Sequence, residues 1–151
     1  NLVQYCDLLL GGTAESESVL GIKTEENDTA EMIFSKWMQT FPKIKNIVST
    51  KRLNANASSN SVSAVFYNGT EFLKSKEYHV SHIIDRIGAG DAFMAGIIYG
   101  LMEWPENHQN ALEFAAAATC LKHSISGDIN LAKVEEINAL VNGIGGGRVA
   151  R

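Results

Sequence analysis

The chain has 151 residues, enough for one domain that buries roughly 68–70% of its unfolded surface. Apolar residues make up 45% and charged residues 20%, the formal charge is −4, and no segment concentrates basic and aromatic side chains, which argues against a nucleic-acid partner. Two cysteines, Cys6 and Cys120, are too few for a disulfide framework and lack ligand spacing, and no apolar run approaches the ~18 residues of a membrane span, so a soluble, cytoplasmic protein without a membrane partner is expected.

The opening "NLVQYCDLLLGG" lacks an initiator Met and enters as if midway through an element. "YCDLLL" reads as a buried strand ending at Gly11 and Gly12, and the chain reads as the later part of something longer. "TAESESVLGI" places Glu15 and Glu17 ahead of apolar residues, which suits a short helix closed near Gly21. In "NDTAEMIFSKWMQTF", Met32, Ile33, Trp37 and Phe41 recur at helical spacing before Pro42. "KIKNIVST" supplies a second buried strand through Ile44, Ile47 and Val48, whose polar end at Thr50, Lys51 and Arg52 is expected to emerge into a loop rich in Asn and Ser. Asn68-Gly69 then separates two apolar stretches, the strongest hairpin signal in the chain.

A long helix follows "HIIDRIGAGD", with Met94, Ile97, Ile98 and Leu101 at helical positions, while Ala92, Ala95, Gly96 and Gly100 keep one face thin. It should stop before Pro105. "NHQNALEFAAAATCLKH" is another helix, with Leu112, Ala115, Ala116, Thr119 and Cys120 on an inner face. "LAKVEEINALV" is a third, capped by Asn130, and "GIGGGRVAR" is a glycine-rich tail. Strands alternate with helices early and helices dominate later, which points to a three-layer α/β architecture.

Gly88-Ala89-Gly90-Asp91 is the stretch with chemical content. Two glycines let the backbone turn closely and leave the first N–H groups of the following helix open, a nest for phosphate or developing negative charge. An acid in that first turn, aimed into a cleft, could accept the proton of a substrate hydroxyl. The same four residues are also an ordinary way to start a helix, and the stretch alone leaves both readings open. The spacing is neither the dinucleotide fingerprint nor a Walker loop, because the third Rossmann glycine and the Lys-Ser or Lys-Thr pair are missing.

"DRIGAGDAFMAGIIYG" resembles the signature of the ribokinase-like (PfkB-type) carbohydrate kinases. More narrowly, "STKR", "NALEFAAAATCLKHSISGDIN" and "GRVAR" are similar to the 2-keto-3-deoxygluconate kinase branch of that family. The likeness covers residues 1–151 but only the C-terminal part of such an enzyme. It implies a three-layer ribokinase-like fold, with a mostly parallel central sheet, an antiparallel edge hairpin and flanking helices. The N-terminal strands and the substrate lid, through which relatives dimerise as homodimers, are expected to be missing, and so little activity is expected of the isolated chain.

The resemblance also implies roles. Asp91 is the base, and the N–H groups of Gly88, Ala89 and Gly90 form the anion hole. Asp85 matches an acid found beside a monovalent cation such as K+, with a turn-securing carboxylate as the alternative. Thr50, Lys51 and Arg52 come near ATP phosphates, and Lys122, His123 and Gly127 belong to the nucleotide wall, although a histidine at a helix end is as readily structural. Asp128 is expected to order the Gly127 turn. Glu15 is the Mg²⁺ candidate, with Gly12 standing where relatives have Asn. Implied chemistry is ATP-dependent phosphorylation of a small sugar acid, 2-dehydro-3-deoxy-D-gluconate, at its terminal hydroxyl. Another ribokinase-like sugar or nucleoside kinase, and a noncatalytic nucleotide-binding fragment, remain as alternatives.

Overall fold

The computed structural model describes residues 2–54, 60–80 and 82–143. The centre of the Asn/Ser stretch at 55–59 and the glycine tail with Arg148 and Arg151 lie outside the described residues. Two compact units are formed: the chain up to Thr50 with Val65–Lys74, and Lys51–Ala64 with the chain from Ser75 onward.

The first unit begins with a 3-10 turn at Leu2–Tyr5, so the expected opening strand shortens to β1, Leu8–Leu10. Tyr5 is exposed, and Val3 packs against the core from within the 3-10 turn. β1 pairs in parallel with the start of β2 (Asn46–Asn54), in the register Leu8 with Asn46 and Leu10 with Val48. Ile47 and Val48 are successive, point to opposite faces, and are both fully buried, so the strand is covered on both sides. β2 includes Thr50, Lys51 and Arg52, the expected polar end of the strand, and runs on to Asn54. Extended pairing overrides the polar composition there.

α1 is a single turn, Glu15–Ser18, and Gly21 follows at φ +70°, a left-handed conformation that glycine adopts without Cβ strain. α2 spans Ala30–Thr40, capped by the Thr29 hydroxyl, which accepts the Met32 N–H at 3.3 Å. Its buried stripe is Ile33, Phe34, Trp37 and then Phe41, whereas Met32, expected in the core, falls outside the stripe and is half exposed. Phe34 and Trp37 meet at 5.1 Å between ring centroids, and the Trp37 indole N–H donates to the Ser16 hydroxyl at 2.6 Å. Those side chains, with Ile44, Ile47 and Tyr67, form the core of this unit.

β3 (Asn60–Tyr67) pairs antiparallel with β4 (Phe72–Lys74), in the register Phe66 with Leu73. Between them Gly69 takes φ +93°, and the Asn68 side-chain oxygen accepts the N–H groups of Thr70 and Glu71. This is the hairpin that Asn68-Gly69 announced. Strand order is β1-β2-β3-β4, with β5 (Tyr78–Val80) also antiparallel to β3, giving a mixed sheet.

In the second unit, α3 spans Ala89–Glu103 and α4 spans His108–Lys122. A Cβ added to Gly96 would lie 2.8 Å from the Ala115 Cα, and one added to Gly100 would lie 2.6 Å from the Ala111 Cα. The glycine face seats the helices backbone to backbone. These pairings run in opposite chain directions, so the start of α3 and the end of α4 share one end of an antiparallel helix pair. Phe93 and Ile97 carry the core contacts of α3, while Ile98, expected inside, is 47% exposed. α4 is buried from Ala111 through Cys120, as a helix apolar all round must be.

Its one acid in that span, Glu113, is satisfied by the Tyr78 hydroxyl at 2.6 Å, the Lys76 N–H at 3.0 Å and the Gln109 amide at 3.0 Å. Three donors make a buried carboxylate tolerable. α5 spans Val134–Val141, so it starts later than an Asn130 cap requires. Asn130 instead accepts the Ala132 N–H and donates to the Ala118 carbonyl, and the Lys133 N–H donates to the Glu136 carboxylate.

Candidate functional site

The turn ahead of α3 is held from two directions. Asp85 Oδ1 accepts the Ile87 N–H and Oδ2 accepts the Gly127 N–H, each at 3.0 Å. The His123 carbonyl accepts the N–H groups of Ile84 at 2.8 Å and Asp85 at 3.2 Å. Gly88 takes φ +78° as the N-cap residue of α3, and a Cβ there would fall 1.8 Å from the Asp128 carbonyl oxygen. Glycine is therefore required at position 88 twice over, by conformation and by space.

The first helical bond of α3 runs from the Ala92 N–H to the Gly88 carbonyl, while the Ala89 N–H turns back on the Arg86 carbonyl at 3.4 Å. Gly90 and Asp91 precede that ladder, so their N–H groups face outward at the positive end of a 15-residue helix. Asp91 is exposed in the same first turn. An anion approaching this end meets open amide donors beside a carboxylate able to take a proton.

Hydrogen bonds from the Ile87 and Gly127 amides, with the Lys122 charge behind them, hold the Asp85 carboxyl below the ordinary carboxylate range. Lys122 is fully buried, its ammonium donating to the Ile125 carbonyl at 2.9 Å. His123 is 2% exposed, and its Nδ1 lies 2.7 Å from the Thr119 carbonyl, which can only accept, so Nδ1 carries the proton. Both side chains are turned inward. Gly127 at φ +85° presents backbone only, and the acid that secures its turn is Asp85, where Asp128 was expected. Burial pushes the Cys120 thiol up to about 11, consistent with a packing residue.

The first unit holds Gly12, Glu15 and Thr50, while Lys51 and Arg52 belong to the second. The Glu15 N–H donates to the Gly12 carbonyl at 3.1 Å, and its carboxylate lies 2.8 Å from where a Gly12 Cβ would project, with the Ser49 hydroxyl 3.9 Å from that point. Glu15 thus fills the space left by the missing side chain at 12. Thr50 follows Ser49 in β2, part-buried, and Lys51 is exposed on the same strand with Arg52 next to it. No group of three or more His, Cys, Asp or Glu side chains suited to a metal occurs among the described residues. Glu15 fits Mg²⁺ as one oxygen ligand, direct or through water, for an ion otherwise held by phosphates. The monovalent cation expected at Asp85 fits less well, because both carboxylate oxygens are engaged by backbone N–H groups.

A family model, pfkB family carbohydrate kinase, matches residues 1–134. The chain belongs to the pfkB family of carbohydrate kinases. Among solved structures, this pfkB chain is similar to a 2-dehydro-3-deoxygluconokinase from Thermotoga maritima, at 35% identity and TM-score 0.83, over 94% of this chain and 43% of that one. It is similar to a candidate 2-keto-3-deoxygluconate kinase from Enterococcus faecalis, at 26% identity and TM-score 0.86, over 99% of this chain and 44% of that one. It is also similar to a pfkB carbohydrate kinase from Listeria grayi, at 29% identity and TM-score 0.81, over 93% of this chain and 42% of that one. A comparison with curated proteins gave no match. The pfkB chain spans less than half the length of these solved relatives, and its fold is the three-layer α/β ribokinase-like fold with a mixed sheet. No helix among the described residues is long and apolar enough to cross a membrane.

Two backbone carbonyls that shape the turn, those of His123 and Asp128, were not legible beforehand. Any residue supplies a carbonyl, so composition carries no trace of them. Ser49 carries no signal in the sequence beyond its place in the "KIKNIVST" strand.

Proposed function

We propose that this chain is part of an ATP-dependent sugar-acid kinase that phosphorylates 2-dehydro-3-deoxy-D-gluconate at its terminal hydroxyl. The observation that carries the reading is the clasped 85–91 turn, in which a left-handed Gly88 starts a helix with open amides beside Asp91. Asp91 accepts the hydroxyl proton as the substrate oxygen attacks the γ-phosphorus, and the bond to the ADP oxygen breaks. The open N–H groups at the start of α3, with that of Gly90 among them, take up the charge on the transferring oxygens, while the Ala89 N–H, expected to join them, is engaged by the Arg86 carbonyl. Little covalent work falls to the protein, so positioning and charge stabilisation account for the catalysis.

Glu15 would hold Mg²⁺, which would supply charge neutralisation to the phosphates. Thr50, Lys51 and Arg52, in the later half of β2, suit the phosphate tail, and Gly127 suits the nucleotide with its backbone. The sugar-acid assignment draws on the relatives from Thermotoga maritima and Enterococcus faecalis. We further propose that residues 1–151 form the C-terminal part of one kinase domain, and that the remaining length of such an enzyme supplies the substrate-selecting strands, the lid and its dimer contacts.

The test is ATP- and Mg²⁺-dependent phosphorylation of 2-dehydro-3-deoxy-D-gluconate by the full-length protein, with Asp91→Asn beside it. Loss of a general base lowers kcat by about 10²–10⁴-fold, and the exposed position leaves stability unchanged. Turnover of a different sugar or a nucleoside would move the substrate assignment. ATP binding without turnover of any would reject the kinase reading in favour of a noncatalytic nucleotide-binding protein.

A further inference from the structure

We propose that Lys122 is a positioning residue: its buried ammonium is a built-in cation that ties the 123–127 turn to Asp85 and so holds the Gly88–Asp91 turn in shape. The kinetic part of this inference rests on the kinase reading above, and the structural part does not.

Lys122 ends α4 with none of its surface exposed, so in this arrangement it reaches no solvent-borne ligand. A methionine would fill similar space without the cost of burying a charge, which asks what the charge is for. Its hydrogen bond to the Ile125 carbonyl closes the turn that leads to Gly127. The Gly127 N–H then donates to Asp85, whose other oxygen holds Ile87, one residue before Gly88. The His123 carbonyl, adjacent in sequence to Lys122, binds Ile84 and Asp85 from the second side. A positive charge at the end of α4 also meets the negative end of that helix.

These links between the end of α4 and the start of α3 run through residues 123–127, the turn that the ammonium closes. A second monovalent cation would duplicate a charge that is already covalently fixed. Activity should accordingly be indifferent to replacing K+ with tetramethylammonium.

The test compares wild type, Lys122→Met and Lys122→Arg in the full-length protein by amide hydrogen exchange. Lys122→Met should speed exchange at Ile84, Asp85, Ile87 and Gly127 by about tenfold or more, leaving the central turns of α3 unchanged, and Lys122→Arg should restore most of the protection. In the phosphorylation assay, Lys122→Met should lower kcat about tenfold with the KM for ATP within about twofold. Unchanged exchange at 84–87 overturns the proposal. So does a loss carried by the KM for ATP, which would mean direct nucleotide contact, or stimulation of the wild type by K+.

Should Lys122→Met not fold, Asp85→Asn decides. Removing that charge must loosen 123–127 as well as 86–88, and loosening confined to 86–88 refutes the coupling. If the wild type phosphorylates nothing, the kinase reading falls and the exchange comparison alone decides Lys122.

Discussion

Three glycines near the site separate two costs that are usually confounded. Gly88 combines a left-handed φ of +78° with a would-be Cβ 1.8 Å from the Asp128 carbonyl oxygen. Gly127 has the left-handed φ, +85°, but a would-be Cβ there meets nothing within 4 Å among the described residues, and Gly90 has neither a positive φ nor a neighbour to such a Cβ. Left-handed backbone costs an L-residue ~1–2 kcal/mol. Overpacking adds ~1–3 kcal/mol where the opposing atom is backbone and cannot swing away. Gly88→Ala should therefore lose ~2–5 kcal/mol and Gly127→Ala ~1–2 kcal/mol. Gly90→Ala should be neutral or gain up to ~1 kcal/mol from helix propensity. Urea unfolding of the three full-length variants measures this directly. A Gly88→Ala protein no less stable than Gly127→Ala would refute the contact between Gly88 and Asp128.

Ser16→Ala should cost ~1–3 kcal/mol by leaving the buried Trp37 indole N–H without its acceptor, and tryptophan fluorescence should change with it. Burial, then the hydrogen bond to Glu113 and its charge, raise the Tyr78 phenol well above its ordinary value. A raised folded value stabilises fully below about pH 10 and is lost as pH climbs beyond it, so one tyrosine should resist ionisation at 295 nm until alkaline unfolding, and Tyr78→Phe should remove it. Asp85 is the opposite case, its carboxyl lowered in the folded state. Its contribution is present above about pH 4 and fades as pH falls through the folded value, so the stability gap between wild type and Asp85→Asn should close on acidification.

Patterning revealed most elements because a single face decided each one. The spacing of Ile33, Trp37 and Phe41 gave α2, and Asn68-Gly69 gave the hairpin. The thin face at Gly96 and Gly100 was legible because only another backbone fits against it. Lys51 and Arg52 were legible as the polar end of a strand, but its extension to Asn54 was not, because strand pairing uses backbone and is indifferent to side-chain type. Asn130 was read as a cap because its type fits, yet its oxygen serves a turn two residues on. At the site, Gly88 and Asp91 could be found because their chemistry depends on residue type. The inward turn of Lys122 could not be read, since its acceptor is a main-chain oxygen.

The antiparallel α3 and α4 pair has a kinetic consequence. The two helices are joined by a short connection, Trp104 to Asn107, so their interface closes only a small loop and can form early. Because the start of α3 and the end of α4 lie together, the fragments at 84–91 and 123–128 meet as soon as that pair docks. Their assembly then needs no slow search by distant parts of the chain. Substitutions at Ala111 or Ala115 should accordingly slow folding more than they hasten unfolding.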